Sequence, residues 1–287
     1  MATGGERERE TEGGPDPVLL ARCRAVLRRA PAGLLSDIDG TISAIAPTPG
    51  DAFVAEGIKE SLRRLTEQLA LVAVVSGRAA ETGRTMVGVD GLLYVGNHGM
   101  ERLRDGVRTA HPAAAASEAA LGEALAEIGT ALAASPLAAV ALVEHKGLTG
   151  TVHYRLAPNQ AAALEILGPL VAGAAETHGL RVTPGRAILE LRPPVHVDKG
   201  TAVADLVAEH GLRGAIFLGD DVTDVDAFRA LRAARAAGEV ETVAIGVVGA
   251  ETPAMVRSSV DATVTGVEGA AALLAALAGA PLGEPGP

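Results

Sequence analysis

Cysteine and aromatic residues are nearly absent from this chain. Its 287 residues include one cysteine, Cys23, no tryptophan, two tyrosines and three phenylalanines. A single cysteine excludes an intrachain disulfide framework and suits a reducing compartment, so we expect a cytoplasmic protein. Apolar residues still make up 48% of the chain, so alanine, valine and leucine must fill its core.

Positive charge is also scarce, and nearly all of it is arginine. The formal net charge is −10, and only three of the 25 basic residues are lysines. A nucleic-acid-binding protein needs a basic face, so we expect no nucleic-acid partner. Pro136 interrupts the Ala-rich stretch 130–143, and no run of about 18 strongly apolar residues occurs, so we predict no membrane span. The N-terminal ten residues also lack the apolar segment of a secretory signal.

Short apolar runs alternate with amphipathic segments over most of the chain. This alternation predicts an α/β fold with a doubly wound, mostly parallel, Rossmann-like sheet. The predicted strands end near Ser36, Val75, Val95, Leu218 and Val247, and the predicted helices cover 18–29, 56–68, 79–86, 200–209, 227–237 and 269–278.

The composition shifts between residues 113 and 192, where a helix followed by two strand-like runs occurs twice. The two helices are predicted over 113–134 and 159–178. The repeated pattern predicts an inserted α+β cap, with an antiparallel sheet and both helices on one face. Residues 18–112 and 193–280 then form a discontinuous catalytic core, and the return to it begins at Pro193-Pro194.

The two ends of the chain are rich in glycine, proline or glutamate. This composition buries too little apolar surface to fold, so we expect a disordered tail over 1–17 and a loose tail over 281–287.

Two carboxylates, Asp37 and Asp39, follow the first apolar run. Ligands of open α/β sheets bind beyond the carboxyl ends of the strands, so we expect both residues at the mouth of a site. The pair alone also suits a solvated strand edge, because residues two apart share one face.

Three more carboxylates, Asp220, Asp221 and Asp224, follow another predicted strand. Five carboxylates in one cleft would repel one another and any phosphate unless a cation neutralised them, which indicates a metal site. The motif from Gly219 to Asp224 also suits a helix cap, and the two interpretations are compatible.

Eight short motifs occur in a characteristic order between residues 34 and 277. They are DIDGT (37–41), VSGR (75–78), GNHGME (96–101), VEHKG (143–147), HYR (153–155), ELRP (190–193), DKG (198–200) and GDDVTD (219–224). Together they resemble the trehalose-6-phosphate phosphatase family, within the haloacid-dehalogenase-type phosphatases. The resemblance is specific because the insertion motifs match as well as the core motifs.

The resemblance implies Mg²⁺-dependent hydrolysis of trehalose 6-phosphate through an aspartyl phosphate, the last step of trehalose biosynthesis. Asp37 would be the nucleophile, and Asp39 the acid and base. Ser76 would hold a phosphoryl oxygen, and Lys199 would neutralise its charge. The implied Mg²⁺ ligands are Asp37, the backbone carbonyl of Asp39 and Asp220, with Asp221 and Asp224 as further ligands or outer support.

A second set of residues would recognise the sugar. The resemblance implies that Glu144, Lys146, Arg155 and Glu190 bind glucose hydroxyls, and that Asn97, His98 and Glu101 lie at the substrate entrance. Surface salt bridges across a hairpin are the alternative interpretation of the insertion residues. Three residues depart from the family pattern without carrying an assigned role, namely Ile38, Ile42 and Val225.

Two alternative functions remain open on the sequence. The first keeps the chemistry and changes the substrate to another sugar phosphate, such as sucrose phosphate or mannosyl phosphoglycerate; the insertion motifs argue against it. The second is a non-catalytic sugar-phosphate sensor, against which the presence of Asp37, Asp39 and Lys199 argues. The sequence does not determine the oligomeric state.

Overall fold

The computed structural model describes residues 14–46 and 48–281. The predicted tails lie outside this range, except for residues 14–17 and 281. Within the described residues, no helix is long and apolar enough to cross a membrane.

The described residues form twelve strands. In chain order they are β1 (Ala32–Ser36), β2 (Leu71–Val75), β3 (Leu93–Gly96), β4 (Glu101–Arg104), β5 (Val107–Ala110), β6 (Leu142–His145), β7 (Gly150–His153), β8 (Arg181–Gly185), β9 (Ile188–Arg192), β10 (Gly214–Gly219), β11 (Glu241–Val248) and β12 (Ala262–Thr265).

Ten α-helices connect these strands. They are α1 (Pro17–Leu27), α2 (Glu56–Thr66), α3 (Ala80–Val87), α4 (Pro112–Ala115), α5 (Glu118–Ala133), α6 (Gln160–Thr177), α7 (Lys199–Glu209), α8 (Asp224–Ala236), α9 (Ala254–Ser258) and α10 (Gly266–Ala278), all within the described residues.

Eight strands build the larger sheet, in the order β12-β11-β10-β1-β2-β3-β4-β5. The pairs from β12 to β3 are parallel, and β4 and β5 pair antiparallel at one edge. Helices α1, α2, α3 and α10 cover one face, and α7, α8 and α9 cover the other. The central strands are apolar throughout because both of their faces are covered. The predicted fold class is therefore confirmed.

The edge hairpin of β4 and β5 was not predicted from the sequence. Its strands carry polar residues on exposed positions, so no continuous apolar run marks them. The turn between them is Asp105-Gly106, and both residues have positive φ, 50° and 77°. Asp-Gly is a strong signal for a two-residue hairpin turn, and it could have revealed this element.

The four strands β6 to β9 form a second, antiparallel sheet in the order β6-β7-β9-β8. Helices α5 and α6 pack on one face of it, around a separate apolar core that includes Leu125, Ile128, Val152, Leu167 and Leu189. This is the expected α+β cap, and its other face is turned away from both helices. The domain limits drawn from the sequence stay predictions.

The helix predicted over 113–134 is broken in the structure. Its first turn is α4, and α5 begins only at Glu118. The break has a physical reason, because the two pieces serve different cores. Ala114 of α4 packs with Met100 and Leu148, where the cap meets the larger sheet, whereas α5 packs inside the cap.

The burial of Leu34 in β1 gives a stability prediction. Leu34→Ala leaves a cavity at a fully buried position, and such changes cost about 2–5 kcal/mol of unfolding free energy. Urea unfolding followed by circular dichroism measures the loss. The control Leu164→Ala makes the same change on an exposed position of α6 and should cost less than about 1 kcal/mol. Similar losses in both variants would contradict the packing described here.

Candidate active site

The candidate site lies where four neighbouring parallel strands end. Asp37 follows β1, Ser76 follows β2, Asn97 follows β3 and Asp220 follows β10. Chain order reverses at β1, because β2 lies on one side of it and β10 on the other. Such a switch point opens a crevice at the carboxyl ends of the strands, and ligands of α/β sheets bind there.

A buried lysine lies between two buried carboxylates at the floor of this crevice. Lys199 Nζ is 3.0 Å from Asp37 Oδ2 and 2.7 Å from Asp224 Oδ1. Burial opposes the charge of the ammonium group, but Asp224 and Asp37 raise the pKa of Lys199 above its usual value. The other oxygen of Asp224 accepts hydrogen bonds from the backbone N–H groups of Asp220 and Asp221, both at 3.0 Å. Asp224 is therefore held on both of its oxygens.

Lys199 holds one oxygen of Asp37, at 3.0 Å. Burial raises the pKa of Asp37 well above the usual value, and the charges of Asp224, Asp220 and Asp39 add to this, while Lys199 acts in the opposite direction. Its Oδ1 atom is buried and has no hydrogen-bond partner among the described residues. Burying an acceptor without a partner costs free energy, so we expect this atom to contact a bound ligand or ion.

Asp220 lies over Gly40, which has a φ of 81°. A Cβ atom at Gly40 would come within 2.0 Å of Asp220 Oδ2, so the close approach requires glycine. Thr41 Oγ1 donates a hydrogen bond to Asp220 Oδ1 at 3.0 Å. Burial and the charge of Asp224 raise the pKa of Asp220 to about 7.

The donor set fits a hard divalent cation. One oxygen from each of Asp37, Asp220 and Asp224 lies within 4.8 Å of the others. A cation would give Asp37 Oδ1 a partner that it lacks among the described residues. It would also offset the repulsion from Asp224 that, together with burial, raises the pKa of Asp220. Lys199 and two backbone amides already hold Asp224, so Asp37 and Asp220 are more available as metal ligands.

Asp39 is held by Arg78. Arg78 Nε donates to Asp39 Oδ2 at 2.6 Å, and Arg78 Nη2 donates to Asp39 Oδ1 at 2.7 Å. Arg78 lies two residues after Ser76, whose hydroxyl oxygen accepts a hydrogen bond from Arg78 N at 3.2 Å. Asp39, Ser76 and Arg78 thus form one connected group at the ends of β1 and β2.

The cap presents a row of polar residues from neighbouring strands. Glu144 of β6 pairs with Thr151 of β7, and Thr151 pairs with Glu190 of β9. Residues in register share one face of a sheet, and Val152 packs against the helices, so this row lies on the opposite face. The buried Thr151 Oγ1 has no hydrogen-bond partner among the described residues.

Glu190 meets residues from both the cap and the core. Lys146 Nζ is 3.7 Å from Glu190 Oε1, and His98 Nε2 is 3.3 Å from Glu190 Oε2. Although burial opposes the shift, His98, Lys146 and Arg192 lower the pKa of Glu190 to about 2. Burial lowers the pKa of His98, although the neighbouring Glu190 opposes this shift.

Asn97 joins the core to the cap. Its Nδ2 donates to Glu101 Oε1 at 2.8 Å and to the Lys146 carbonyl at 3.0 Å, and its Oδ1 accepts from Thr149 Oγ1 at 2.7 Å. Asn97 and His98 both have positive φ, 49° and 58°. Two successive non-glycine residues in this region are strained, and such strain persists only where surrounding contacts enforce it.

Both carboxylate oxygens of Glu101 accept hydrogen bonds from other residues of the chain. Besides Asn97 it accepts from Ala80 N at 2.7 Å and from Arg108 Nε at 2.5 Å. Arg155, after β7, reaches the core by donating from Nη1 to the Ala46 carbonyl at 3.1 Å. Glu144 Oε2 and His153 Nε2 lie 2.7 Å apart, at hydrogen-bond distance, and the histidine tautomer determines the donor.

The structure brings most of the sequence-predicted residues to one cleft between core and cap. Asp221 is the exception, because its side chain is exposed and lies outside the acidic cluster; its role as a ligand stays a prediction. Sequence reasoning assigned no role to Arg78 or Thr151. No sequence signal pairs Arg78 with Asp39, which lies 39 positions away. The strand alternation around Thr151 could have placed it beside Glu144.

Comparison with solved structures identifies the fold. The C-terminal domain of trehalose-6-phosphate phosphatase from C. albicans superimposes with a TM-score of 0.73 at 22% identity, over 93% of this chain and 98% of that chain. A haloacid dehalogenase-like hydrolase from Bacteroides thetaiotaomicron gives a TM-score of 0.57 at 14% identity, over 85% of this chain and 98% of that one. The fold is that of a capped haloacid dehalogenase-like hydrolase.

Sequence comparison gives the family. The trehalose-phosphatase family model matches residues 35–261. The trehalose-phosphate phosphatase of Mycobacterium tuberculosis (strain H37Rv) is 39% identical over 218 residues, which cover 73% of this chain and 53% of that protein. An uncharacterized glycosyl hydrolase of the same organism is 41% identical over 223 residues, covering 73% of this chain and 16% of that protein. The chain belongs to the trehalose-phosphatase family, which confirms the resemblance found in the sequence. It spans about half the length of the mycobacterial phosphatase.

The buried position of Lys199 gives a second prediction. Lys199→Met keeps the chain length but leaves Asp37 and Asp224 without their cation, and breaking a buried pair costs about 3–5 kcal/mol of unfolding free energy. Denaturant unfolding in the presence of a chelator measures the loss. The double variant Lys199→Met/Asp224→Asn removes one of the stranded charges and should recover part of it. Unchanged stability in Lys199→Met would contradict the cluster.

Proposed function

We propose that this chain is a Mg²⁺-dependent phosphatase that hydrolyses trehalose 6-phosphate to trehalose and phosphate, the last step of trehalose biosynthesis. The observation that carries the proposal is the buried Asp37–Lys199–Asp224 cluster facing a cap that bears Glu144, Lys146 and Glu190. Membership of the trehalose-phosphatase family supports the choice of substrate.

The chemistry follows from the two carboxylates after β1. Asp39 enters the first step in its protonated form. An Asp37 oxygen attacks phosphorus, the bond between phosphorus and the sugar oxygen breaks, and Asp39 donates its proton to that oxygen. Asp39 next takes a proton from a water molecule as the water attacks the aspartyl phosphate. Phosphate leaves, and both carboxyl groups return to their starting state.

The surrounding residues neutralise and orient the phosphoryl group. Lys199 holds Asp37 and lies where a phosphoryl oxygen would approach, and the Ser76 hydroxyl faces the same end of the sheet. Mg²⁺ held by Asp37, Asp220 and the Asp39 backbone carbonyl would supply positive charge to the phosphoryl oxygens. Asp224 holds Lys199 and the Asp220 backbone in place, and we assign Asp221 to outer support.

The cap residues would recognise the disaccharide. Glu144, Lys146, Arg155 and Glu190 provide charged donors and acceptors for sugar hydroxyls, with His98 at the entrance beside Glu190. The unpartnered Thr151 hydroxyl lies in the same row as Glu144 and Glu190 and offers a further partner. A site with buried polar groups rejects ligands that leave them unpaired, which favours a polyhydroxylated substrate. The protein contacts of Asn97 and Glu101 favour a supporting role at this entrance.

A different sugar phosphate with the same chemistry is the second candidate, because the acidic cluster does not depend on the identity of the sugar. We also propose a cytoplasmic location, which the single cysteine supports.

The first experiment measures phosphate release from a panel of sugar phosphates, with Mg²⁺ and with a chelator. We expect strong release from trehalose 6-phosphate with Mg²⁺, and its loss with the chelator, because Asp37 and Asp220 need a cation between them. Asp37→Asn removes the nucleophile and should abolish turnover while circular dichroism stays unchanged.

Other results of this panel have distinct meanings. Release from a different sugar phosphate alone would overturn the substrate and keep the chemistry. Full activity in Asp37→Asn would show that Asp37 is not the nucleophile. A folded protein that releases phosphate from no member of the panel would favour a sugar-phosphate sensor.

A substitution of Lys146 tests whether the cap contributes to sugar recognition. Lys146→Ala removes a charged hydrogen-bond donor, typically worth about 1.5–3 kcal/mol, so kcat/KM for trehalose 6-phosphate should fall roughly 10- to 100-fold. The value for p-nitrophenyl phosphate, which carries no sugar, should change little. Lys59→Ala in α2 is the matched control and should affect neither ester. Equal losses on both esters in Lys146→Ala would mean that Lys146 has a structural role only.

A further inference from the structure

Arg78 holds the carboxylate that we assign as acid and base. We propose that Arg78 is a positioning residue, which aims the Asp39 side chain for its two proton transfers. While Asp39 carries the proton, one of the two Arg78 contacts opens and the other keeps the side chain aimed. This inference rests on the proposed function, because it concerns how the same site cleaves the ester.

The geometry of the pair is that of a guanidinium fork on a carboxylate. Two different nitrogens of Arg78 donate to the two oxygens of Asp39, at 2.6 and 2.7 Å. Paired donors of this kind fix the rotation of a carboxylate as well as its position, which a single donor cannot do. The Arg78 side chain is 13% exposed, so the contact is shielded from water on its arginine side.

Asp39 depends on this contact for its orientation. Its side chain is 35% exposed, and no described residue other than Arg78 makes a hydrogen bond to its carboxylate. Gly40 follows it in a left-handed conformation and has no side chain to pack against it. Without Arg78, the Asp39 carboxylate would sample several rotamers. Misplacing a catalytic group by about 1 Å can cost about 10²-fold in rate.

Arg78 is itself fixed by the framework of the site. Its backbone N–H donates to Ser76 Oγ at 3.2 Å, and its carbonyl accepts from Asn97 N at 2.8 Å. The ends of β2 and β3 therefore set the position from which Arg78 reaches across to the end of β1. Asn97 also donates a hydrogen bond to the Lys146 carbonyl of the cap, so the residue that fixes the Arg78 backbone contacts both core and cap.

The cap also acts on Arg78 through charge. Glu144 and Asp37 both lie near enough for their negative charges to act on the Arg78 guanidinium, with Asp39 as its direct partner. These negative charges stabilise the charged Arg78 guanidinium in its position beside Asp39.

A leaving-group comparison tests the proposal, because kcat/KM reports the steps up to formation of the aspartyl phosphate. A sugar oxygen needs a proton to leave, whereas p-nitrophenolate does not. Arg78→Ala should lower kcat/KM for the sugar ester by about 10²-fold, the scale of acid catalysis, and lower it only slightly for p-nitrophenyl phosphate. Arg78→Lys should recover only part of the loss, because lysine lacks the paired donors. Arg84→Ala in α3, where Arg84 pairs with Glu81 at the surface, is the matched control and should behave as the unmodified chain.

A double-variant cycle identifies the partner. If Arg78 acts through Asp39, adding Arg78→Ala to Asp39→Asn should cause no further loss on the sugar ester, because effects within one unit are not additive. Equal losses on both esters would mean that Arg78 contacts the phosphoryl group instead, and would overturn the proposal. Additive losses in the double variant would also overturn it.

The test is separable from the choice of substrate. It uses whichever sugar phosphate the unmodified chain cleaves, so rejection of trehalose 6-phosphate would remove the proposed substrate and leave the comparison intact. A crystal structure of Arg78→Ala gives a readout that needs no turnover. The Asp39 carboxylate should lose its single orientation there, and an unchanged Asp39 rotamer would overturn the proposal.

Discussion

The buried ammonium group of Lys199 is the interaction on which the site depends. Burial and the charges of Asp224, Asp220 and Asp39 raise the pKa of Asp37, and Lys199 is the positive charge that opposes this shift. Lys199 also links the two halves of the site, since Asp37 ends β1 and Asp224 begins α8. The remaining oxygen of Asp224 fixes the backbone of Asp220, so one ion-pair cluster positions the groups that would receive phosphate and metal.

The fold makes this cluster possible by bringing distant segments together. Asp37, Ser76 and Asp220 come from three strands far apart in sequence, yet these strands are neighbours in the sheet and end at the same edge. The cap contacts the core beside this crevice, through Asn97 with Lys146 and through His98 with Glu190. Glu190 is shared, since it contacts His98 of the core and Lys146 of the cap. The residues that we propose for sugar recognition and those that we propose for phosphoryl chemistry are thus joined by contacts between cap and core.

Most of this arrangement could be predicted from the sequence because its signals are local. Apolar runs that end in Asp37, Ser76 or Asp220 mark buried strands and their carboxyl ends, and the repeated pattern in the insertion marks the cap. The features that were missed depend on three-dimensional proximity. Arg78 lies 39 positions from the carboxylate that it holds, and the hydrogen bonds of Asn97 with Lys146 and Thr149 join segments 49 and 52 positions apart. The hairpin at Asp105-Gly106 was missed although its turn residues signal it, because its strands are too polar to resemble buried ones.

The cap has an apolar core of its own, and the chain enters and leaves it once, near residues 112 and 193. Its polar row projects from a sheet whose stability comes from α5 and α6 rather than from the larger sheet. The insertion is therefore a module with a core of its own. A cap grafted in its place would have to match the core where Asn97, His98, Ala46 and Met100 contact it.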